Sequence, residues 1–244
     1  MRRTEDLGGN VAIITGAGRG IGRAIALALA AAGVRSVLAA RTKEELEILE
    51  REISAQGCEA LAVPTDLSKE NEMVDLVRTT VEKLGRIDIM VNNAGVGMFG
   101  PLAQTATEDF DRIMAVNARA PFILCRETIP YLKRHDRAFI VNIGSVVSTK
   151  GYANQAAYSA SKHALLGMSK ALARELAETD IRVHVLCPGG VDTELVSRAR
   201  PDLDRSILMQ PEEIADIVMF LVTRKGNAVI DEIDIRRASS TPWG

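Results

Sequence analysis

Val11-Ala12-Ile13-Ile14-Thr15-Gly16-Ala17-Gly18-Arg19-Gly20-Ile21-Gly22, near the start of a chain of 244 residues, decides the fold. Val11 to Ile14 is an uninterrupted apolar run rich in β-branched residues, the pattern of a strand buried on both faces. The glycines that follow let the backbone reverse sharply and come close to a phosphate. Ile21 to Ala32 then reads as a helix whose unpaired N–H groups and positive dipole end face that turn. Strand, glycine turn and helix in this order open a nucleotide-binding α/β domain.

The same alternation runs outward from this unit. Strands are expected at Ser36 to Ala39, Ala60 to Val63, Ile87 to Val91, Phe139 to Ile143, Val183 to Leu186 and Ile230 to Ile235. Thr42-Lys43-Glu44-Glu45 is a capping-box signature and opens a helix reaching about Gln56. A helix from Ser68 to Leu84 carries Met73, Val74, Val77, Val81 and Leu84 at helical spacing. Longer helical stretches cover Thr107 to Lys133 and Ala156 to Glu178, and a last helix follows Pro211. No repeat or linker interrupts the pattern. The expected fold class is therefore α/β: one Rossmann-type, three-layer domain over residues 1–244, with a doubly wound parallel sheet of about seven strands. Such sheets bind ligands beyond the carboxyl ends of their strands. Gly16, Asn92, Ser145 and Pro188 all fall just past a predicted strand, which points to one site.

Bulk properties exclude several classes of partner. The formal net charge of −2 gives no electrostatic reason for nucleic acid or an anionic membrane, and 4% aromatics leave little for base stacking. Cys58, Cys125 and Cys187 form neither a disulfide framework nor a CxxC pair, and they read as small apolar residues in a reducing cytoplasm. His135, His163 and His184 lack zinc-ligand spacing, so no metal is expected. Met1 to Asp6 is basic then acidic with no signal-like apolar run behind it, and the longest apolar run, Ala24 to Val34, is too short to span a bilayer. A soluble, cytoplasmic protein is the expectation.

Chemistry is written in two places. At the end of the second strand, where an acidic residue would hold the ribose of NAD, stands Ala40, followed by Arg41; Arg19 lies in the glycine turn. Two guanidiniums and no carboxylate suit a 2′-phosphate, so NADP(H) is the expected cofactor. Asp66 is placed either to bond the adenine amino group or to cap the following helix. The second place is Tyr158-Ser159-Ala160-Ser161-Lys162. Four residues apart on a helix, Tyr158 and Lys162 share a face. A phenol with a pKa near ~10 is a poor acid–base group at neutral pH, and a neighbouring ammonium is expected to lower it. Ser145 is placed to hold a carbonyl oxygen while Tyr158 protonates it.

With these residues in hand, the chain resembles the short-chain dehydrogenase/reductase family, in particular its 3-oxoacyl-carrier-protein-reductase-like members. The likeness runs from about Asn10 to Thr193 and takes in the glycine turn, Asp66-Leu67, Asn92-Asn93-Ala94-Gly95, Asn117, Gly144-Ser145, Tyr158 to Lys162, and Pro188-Gly189-Gly190-Val191-Asp192-Thr193. The resemblance implies that Tyr158 is the general acid in reduction, that Ser145 positions the carbonyl, and that Lys162 also binds the nicotinamide ribose. Asn117 would hold a water that links Lys162 to solvent. Gly16, Gly18, Arg19, Gly20, Ile21, Gly22, Arg41, Asp66 and Leu67 would bind the nucleotide. Asn92, Asn93, Ala94 and Gly95 would line its site and brace the central sheet. Pro188 and Gly189 would shape the nicotinamide pocket, with Val191 and Thr193 on the carboxamide. The family also implies a homodimer or homotetramer built on the Thr107–Lys133 and Ala156–Glu178 helices.

The C-terminal part departs from the family. Lys225 to Ile235 keeps a final strand but lacks the glycine-rich turn of many 3-oxoacyl reductases, and Ser239 to Gly244 reads as a loose or partner-contacting tail. The substrate loop, about residues 190–210, carries Arg198, Arg200, Asp202, Asp204 and Arg205 around Pro201, as a solvated lid would. Met98, Val146, Val147 and Tyr152 form a candidate apolar pocket wall. The leading reading is reversible, NADPH-dependent reduction of a small-molecule ketone or aldehyde. A 3-oxoacyl-[acyl-carrier-protein] or 3-oxoacyl-CoA reductase, and a non-catalytic NADP(H) sensor, stand beside it.

Overall fold

The computed structural model describes residues 6–199 and 204–242. Seven strands, β1 (Val11–Thr15), β2 (Arg35–Ala40), β3 (Ala60–Pro64), β4 (Ile89–Asn92), β5 (Ala138–Ile143), β6 (Ile181–Pro188) and β7 (Glu232–Ile235), pair in the order β3-β2-β1-β4-β5-β6-β7. Every pairing is parallel. The chain builds outward from β1 to β3, then crosses back to lay β4 on the other side of β1. That reversal leaves a crevice between the loops following β1 and β4.

Helices cover both faces because the central strands are apolar on both. In β1, Ala12 and Ile14 pack into one core layer with Ile25 and Leu29 of α1 (Gly20–Ala31), Leu46 and Leu49 of α2 (Lys43–Ala55), and Ile214 and Val218 of α8 (Pro211–Thr223). Val11 and Ile13 face the opposite layer, with Met73 and Leu76 of α3 (Glu70–Leu84), Ile123 and Leu124 of α5 (Ala120–Leu132), and Leu172 of α6 (Ala156–Glu175). Each such side chain contributes roughly 1.5–3 kcal/mol by leaving water. Cys125 and Cys187 are buried and Cys58 is half-buried, all as free thiols. No described helix is long and apolar enough to cross a membrane.

Three expectations change in detail. Thr42 does precede α2, but its side chain makes no capping bond, and Glu45 turns towards Arg19 instead of closing the box. The helix expected from Ser68 begins at Glu70, because the Asp66 carboxylate holds the N–H and hydroxyl of Ser68 in a turn. The stretch Thr107 to Lys133 is α4 (Thr107–Met114) and α5 joined by a π-helical turn, Ala115–Arg119. Pro121, at the start of α5, has no N–H to give the Asn117 carbonyl four residues earlier, which removes one bond of a regular α-helix at this point and favours the wider turn. The last two helices are α7 (Glu194–Ala199), in the substrate loop, and α8. Arg200, Pro201 and Asp202 of that loop, and Met1 to Glu5, Trp243 and Gly244 at the ends, lie outside the described residues.

One buried charge ties the first strand to the fourth. Asp88, 1% exposed, accepts the Val11 N–H at 2.8 Å and two bonds from one edge of the Arg86 guanidinium, Nε at 2.8 Å and Nη2 at 2.6 Å. Its carboxylate fixes where β1 enters the sheet beside β4. Asp88→Ala leaves the Val11 N–H without a partner and should lower stability by about 3 kcal/mol, read as a fall in the urea midpoint at constant slope.

Candidate active site

The glycine turn is held shut by the strand beside it. Thr15 Oγ1 donates to the Val91 carbonyl at 3.2 Å and accepts the N–H groups of Asn93 and Ala94 at 3.0 and 3.1 Å. Asn93 returns the link, its amide donating to the Thr15 and Gly16 carbonyls at 2.8 and 3.3 Å. Gly16 and Gly20 take φ of +65° and +54°, which side chains disfavour. At Gly22 the demand is space: a Cβ there would lie 2.3 Å from the Gly16 carbonyl oxygen.

The turn delivers the N-terminus of α1 to the cleft with its anion-binding capacity unspent. Arg19 at the N-cap makes no side-chain cap, and the first turn of α1 holds no acidic residue. α2, α3, α4 and α8 each carry two acidic residues there. A free set of N–H groups beside a cradle too tight for side chains fits a pyrophosphate.

The cleft above the strand ends has a volume of ≈ 1730 Å³. Nearly all the residues expected from sequence meet on its wall, from Gly16 to Ile21 and Arg41 at one end to Ser145, Tyr158, Lys162, Pro188, Gly189, Val191 and Thr193 at the other. Asp66, Leu67, Asn93, Ala94 and Gly95 line the middle. Met98, Val146, Val147 and Tyr152 also lie on the wall. Gly22 and Asn117 stand behind it. Asn92 braces the sheet as expected but does not line the cleft: it is buried and donates to Asn142 Oδ1 at 2.8 Å, which passes the bond to Ser169 at 2.7 Å.

Arg41 is exposed at the rim and helps hold the Asp66 carboxyl below its ordinary range, where the Ser68 backbone N–H is the main cause. Arg19 is engaged by carboxylates, pairing with Glu194 at the start of α7 and lying 3.7 Å from Glu45. Those acids were not foreseen. The resemblance marked the arginines but not what holds them without a ligand.

Around Tyr158, an inner layer of polar groups sets position. Ser145 is within hydrogen-bonding reach of the Tyr158 hydroxyl, and its own N–H is fixed by Ser148 Oγ at 3.1 Å. Phe99 meets the Tyr158 ring edge-on, centroids 5.7 Å apart. Lys162, 3% exposed, points its Nζ at the Ile143 carbonyl, 2.8 Å away, with the Tyr158 ring centroid at 5.9 Å. Asn117 sits mid-way along the π-turn and spends its side chain on neighbours. Oδ1 accepts the Val96 N–H at 2.9 Å; Nδ2 donates to the Val96 carbonyl at 2.8 Å and to Ser161 Oγ at 3.0 Å. Ser161 in turn donates to the Tyr158 carbonyl at 2.7 Å. Ser148, Ser161 and Phe99 were missed from sequence. The signal for the π-turn was present, as a proline four residues after Asn117.

The expected lowering of the Tyr158 pKa is overturned by burial. Burial pushes the phenol up to about 12, with only the Ser145 hydrogen bond acting the other way. Burial also pushes the Lys162 ammonium down to about 8. Desolvation dominates because both groups sit under the protein surface, and Lys162 is turned to a carbonyl rather than to a counter-ion.

A doubly wound parallel sheet with a glycine turn at its switch point, and a serine, tyrosine and lysine gathered at the strand ends, define an α/β class of protein. The model of the short chain dehydrogenase family matches residues 10–204, and the chain belongs to that family. A 3-oxoacyl-[acyl-carrier-protein] reductase of Synechocystis is 36% identical over 90% of this chain and 92% of its own length. A metagenomic short-chain oxidoreductase solved in complex with NADP is 38% identical, with a TM-score of 0.84 over 96% of this chain and 100% of that one. An alcohol dehydrogenase from the archaeon Thermococcus sibiricus, complexed with 5-hydroxy-NADP, is 30% identical with a TM-score of 0.88, covering 96% and 99%.

The depressed Lys162 pKa has a sign that can be checked. The folded site disfavours the ammonium, so the cost is full below about pH 8 and vanishes as pH rises through the unfolded value of 10.5. Lys162→Met should therefore raise the melting temperature of the unliganded protein by roughly a few degrees at pH 7, with the gain shrinking at higher pH. A difference that is flat or grows with pH would rule out burial as its origin.

Proposed function

We propose that the protein reduces a small-molecule ketone or aldehyde to an alcohol with NADPH, reversibly, and that Tyr158 is its proton donor. The observation that carries this reading is the meeting of Ser145, Tyr158 and Lys162 in the same cleft as the unspent N-terminus of α1. A binding-only sensor would need the second of these but not the first.

NADPH supplies the hydride that adds to the carbonyl carbon. The residues of the chain do the rest. Gly16 to Gly22 and the α1 N-terminus take the pyrophosphate, and Arg41 with Arg19 takes the 2′-phosphate, for which Arg19 must leave Glu194. Asp66 and Leu67 flank the adenine, Asn93 to Gly95 support the ribose side, and Pro188, Gly189, Val191 and Thr193 frame the nicotinamide. Ser145 donates a hydrogen bond to the carbonyl oxygen, and Tyr158 gives that oxygen its proton. Lys162 binds the nicotinamide ribose and passes a proton towards Tyr158. With its ammonium depressed to about 8, it can release and regain one near neutral pH. Asn117, whose side chain is fully used by Val96 and Ser161, serves by setting the π-turn through which a water reaches Lys162.

The Synechocystis relative favours a second reading, reduction of a 3-oxoacyl thioester. The two separate on turnover of acyl-carrier-protein or CoA thioesters against free ketones. A homodimer or homotetramer, through the helices of residues 107–132 and 156–175, is part of the same proposal, and sedimentation would measure it.

Tyr158→Phe should reduce NADPH oxidation by at least about a thousandfold while leaving NADPH affinity within about threefold; full retained activity would remove the role. Arg41→Asp should weaken NADPH by about tenfold or more and spare NADH, and an unchanged preference in a binding titration would refute the 2′-phosphate assignment.

A further inference from the structure

Beyond β7 the chain turns back over the substrate end of the cleft. Arg236 makes this turn rigid: its Nη1 donates to the carbonyls of Arg237, Ala238 and Ser240 at 3.1, 3.4 and 2.9 Å. The chain is thus tied from Arg236 to Ser240, the start of the segment expected to be loose or partner-contacting, and the residues from Arg236 to Pro242, Ala238 excepted, lie on the cleft wall. Arg236 Cα is 3.9 Å, and Val146 Cγ1 3.7 Å, from where a Cβ on Gly189 would stand. The tail therefore runs one residue's thickness from the Ser145 loop.

Arg237 is different from the other cations of the region. Arg205 is spent on Asp192, at 2.7 and 2.8 Å, and Arg198 pairs with Glu194. Arg237 has no ion pair or side-chain hydrogen bond among the described residues. Its stem lies against Gly190, where a Cβ would be 3.4 Å from Cδ and 3.6 Å from Nε. One nitrogen, Nη1, is shut off from solvent with no partner. Nε and Nη2 form the other edge of the guanidinium, the side-on fork that takes a carboxylate with two parallel bonds. A guanidinium partly stripped of water and left without an anion is costly to hold in a folded protein. A ligand anion would offset that cost.

We infer that Arg237 is a specificity-determining residue that binds a carboxylate carried by the substrate, so that the preferred substrates are short oxo acids. This rests on the carbonyl reduction proposed above. Proximity decides between sources of negative charge. Arg236, next to Arg237, and Val146, next to Ser145, both border Gly189, so an anion on Arg237 and a carbonyl on Ser145 fit one compact molecule. The phosphate of a pantetheine arm is a long chain away from its thioester and does not meet that condition. During reduction the carboxylate is unchanged. Hydride goes to the carbonyl carbon and the Tyr158 proton to its oxygen.

The test compares 2-oxo-, 3-oxo- and 4-oxopentanoate with their primary amides, under NADPH, in the wild type, Arg237→Gln and Arg237→Lys. The wild type should favour at least one acid over its amide by about tenfold or more in kcat/KM, mostly through KM. Arg237→Gln should lose that preference, its fall in kcat/KM being about tenfold or more larger for the acid than for the amide, and Arg237→Lys should keep part of it. Equal use of acid and amide by the wild type overturns the proposal without any variant. So does an Arg237→Gln loss that falls equally on both, since that is a structural effect. Binding of the same acids to the NADPH-loaded protein, by calorimetry, separates the two claims. Arg237-dependent binding without turnover sinks the proposed reaction and keeps the carboxylate site, whereas absence of both binding and turnover for every acid sinks the site.

Discussion

The joint between Thr15 and Asn93 is the interaction on which the rest of the site depends. Neighbouring parallel strands whose connections leave in opposite directions must open a gap at their carboxyl ends. Here that gap is bridged by one hydroxyl and one carboxamide, which between them satisfy the backbone of both strand ends. Without such a bridge the glycine turn would have no reason to stay over the sheet, since glycine itself prefers no conformation. With it, a turn made of the most flexible residues becomes a fixed cradle, and α1 starts where an anion can meet its unpaired N–H groups.

Burial then sets the chemistry at the other end of the cleft. It drives Tyr158 and Lys162 towards their neutral forms, the phenol up to about 12 and the amine down to about 8. The two shifts pull apart groups whose ordinary values, 10.0 and 10.5, nearly coincide, so Lys162 gives up its proton well before Tyr158 does. Burial keeps Tyr158 protonated, which is the form that donates to a carbonyl oxygen. Stability is given up for this, since an aliphatic side chain would sit more comfortably where Lys162 does.

Much of this was legible because it rests on local rules. The continuous apolar runs gave away a sheet covered on both faces, and the glycine turn after Ile14 marked its switch point. The order of motifs brought Ser145, Tyr158 and Lys162 together on paper as they meet in space. What escaped depends on distance between segments. Glu45 looked like half of a capping box, and only its packing near Arg19 shows otherwise. The effect of Lys162 on Tyr158 was argued from charge alone, while depth below the surface decided it. The segment from Ser239 read as loose or partner-contacting because nothing in its composition announces that the guanidinium of Arg236 will gather three carbonyls, that of Ser240 among them.

The π-turn of residues 115–119 has a consequence for how this chain tolerates change. It holds one residue more than a regular helix would need, and an ordinary α-helix through the same place would be the better-bonded structure. Removing one residue there, or exchanging Pro121 for a good helix former, would improve the local helix by the measure of its own backbone bonds. Either edit would rotate Asn117 away from Val96 and Ser161, and with them the carbonyl of Tyr158. The segment is therefore tuned to its neighbours and not to itself: a better helix here would cost the three bonds by which Asn117 joins the Val96 loop to the helix of Tyr158.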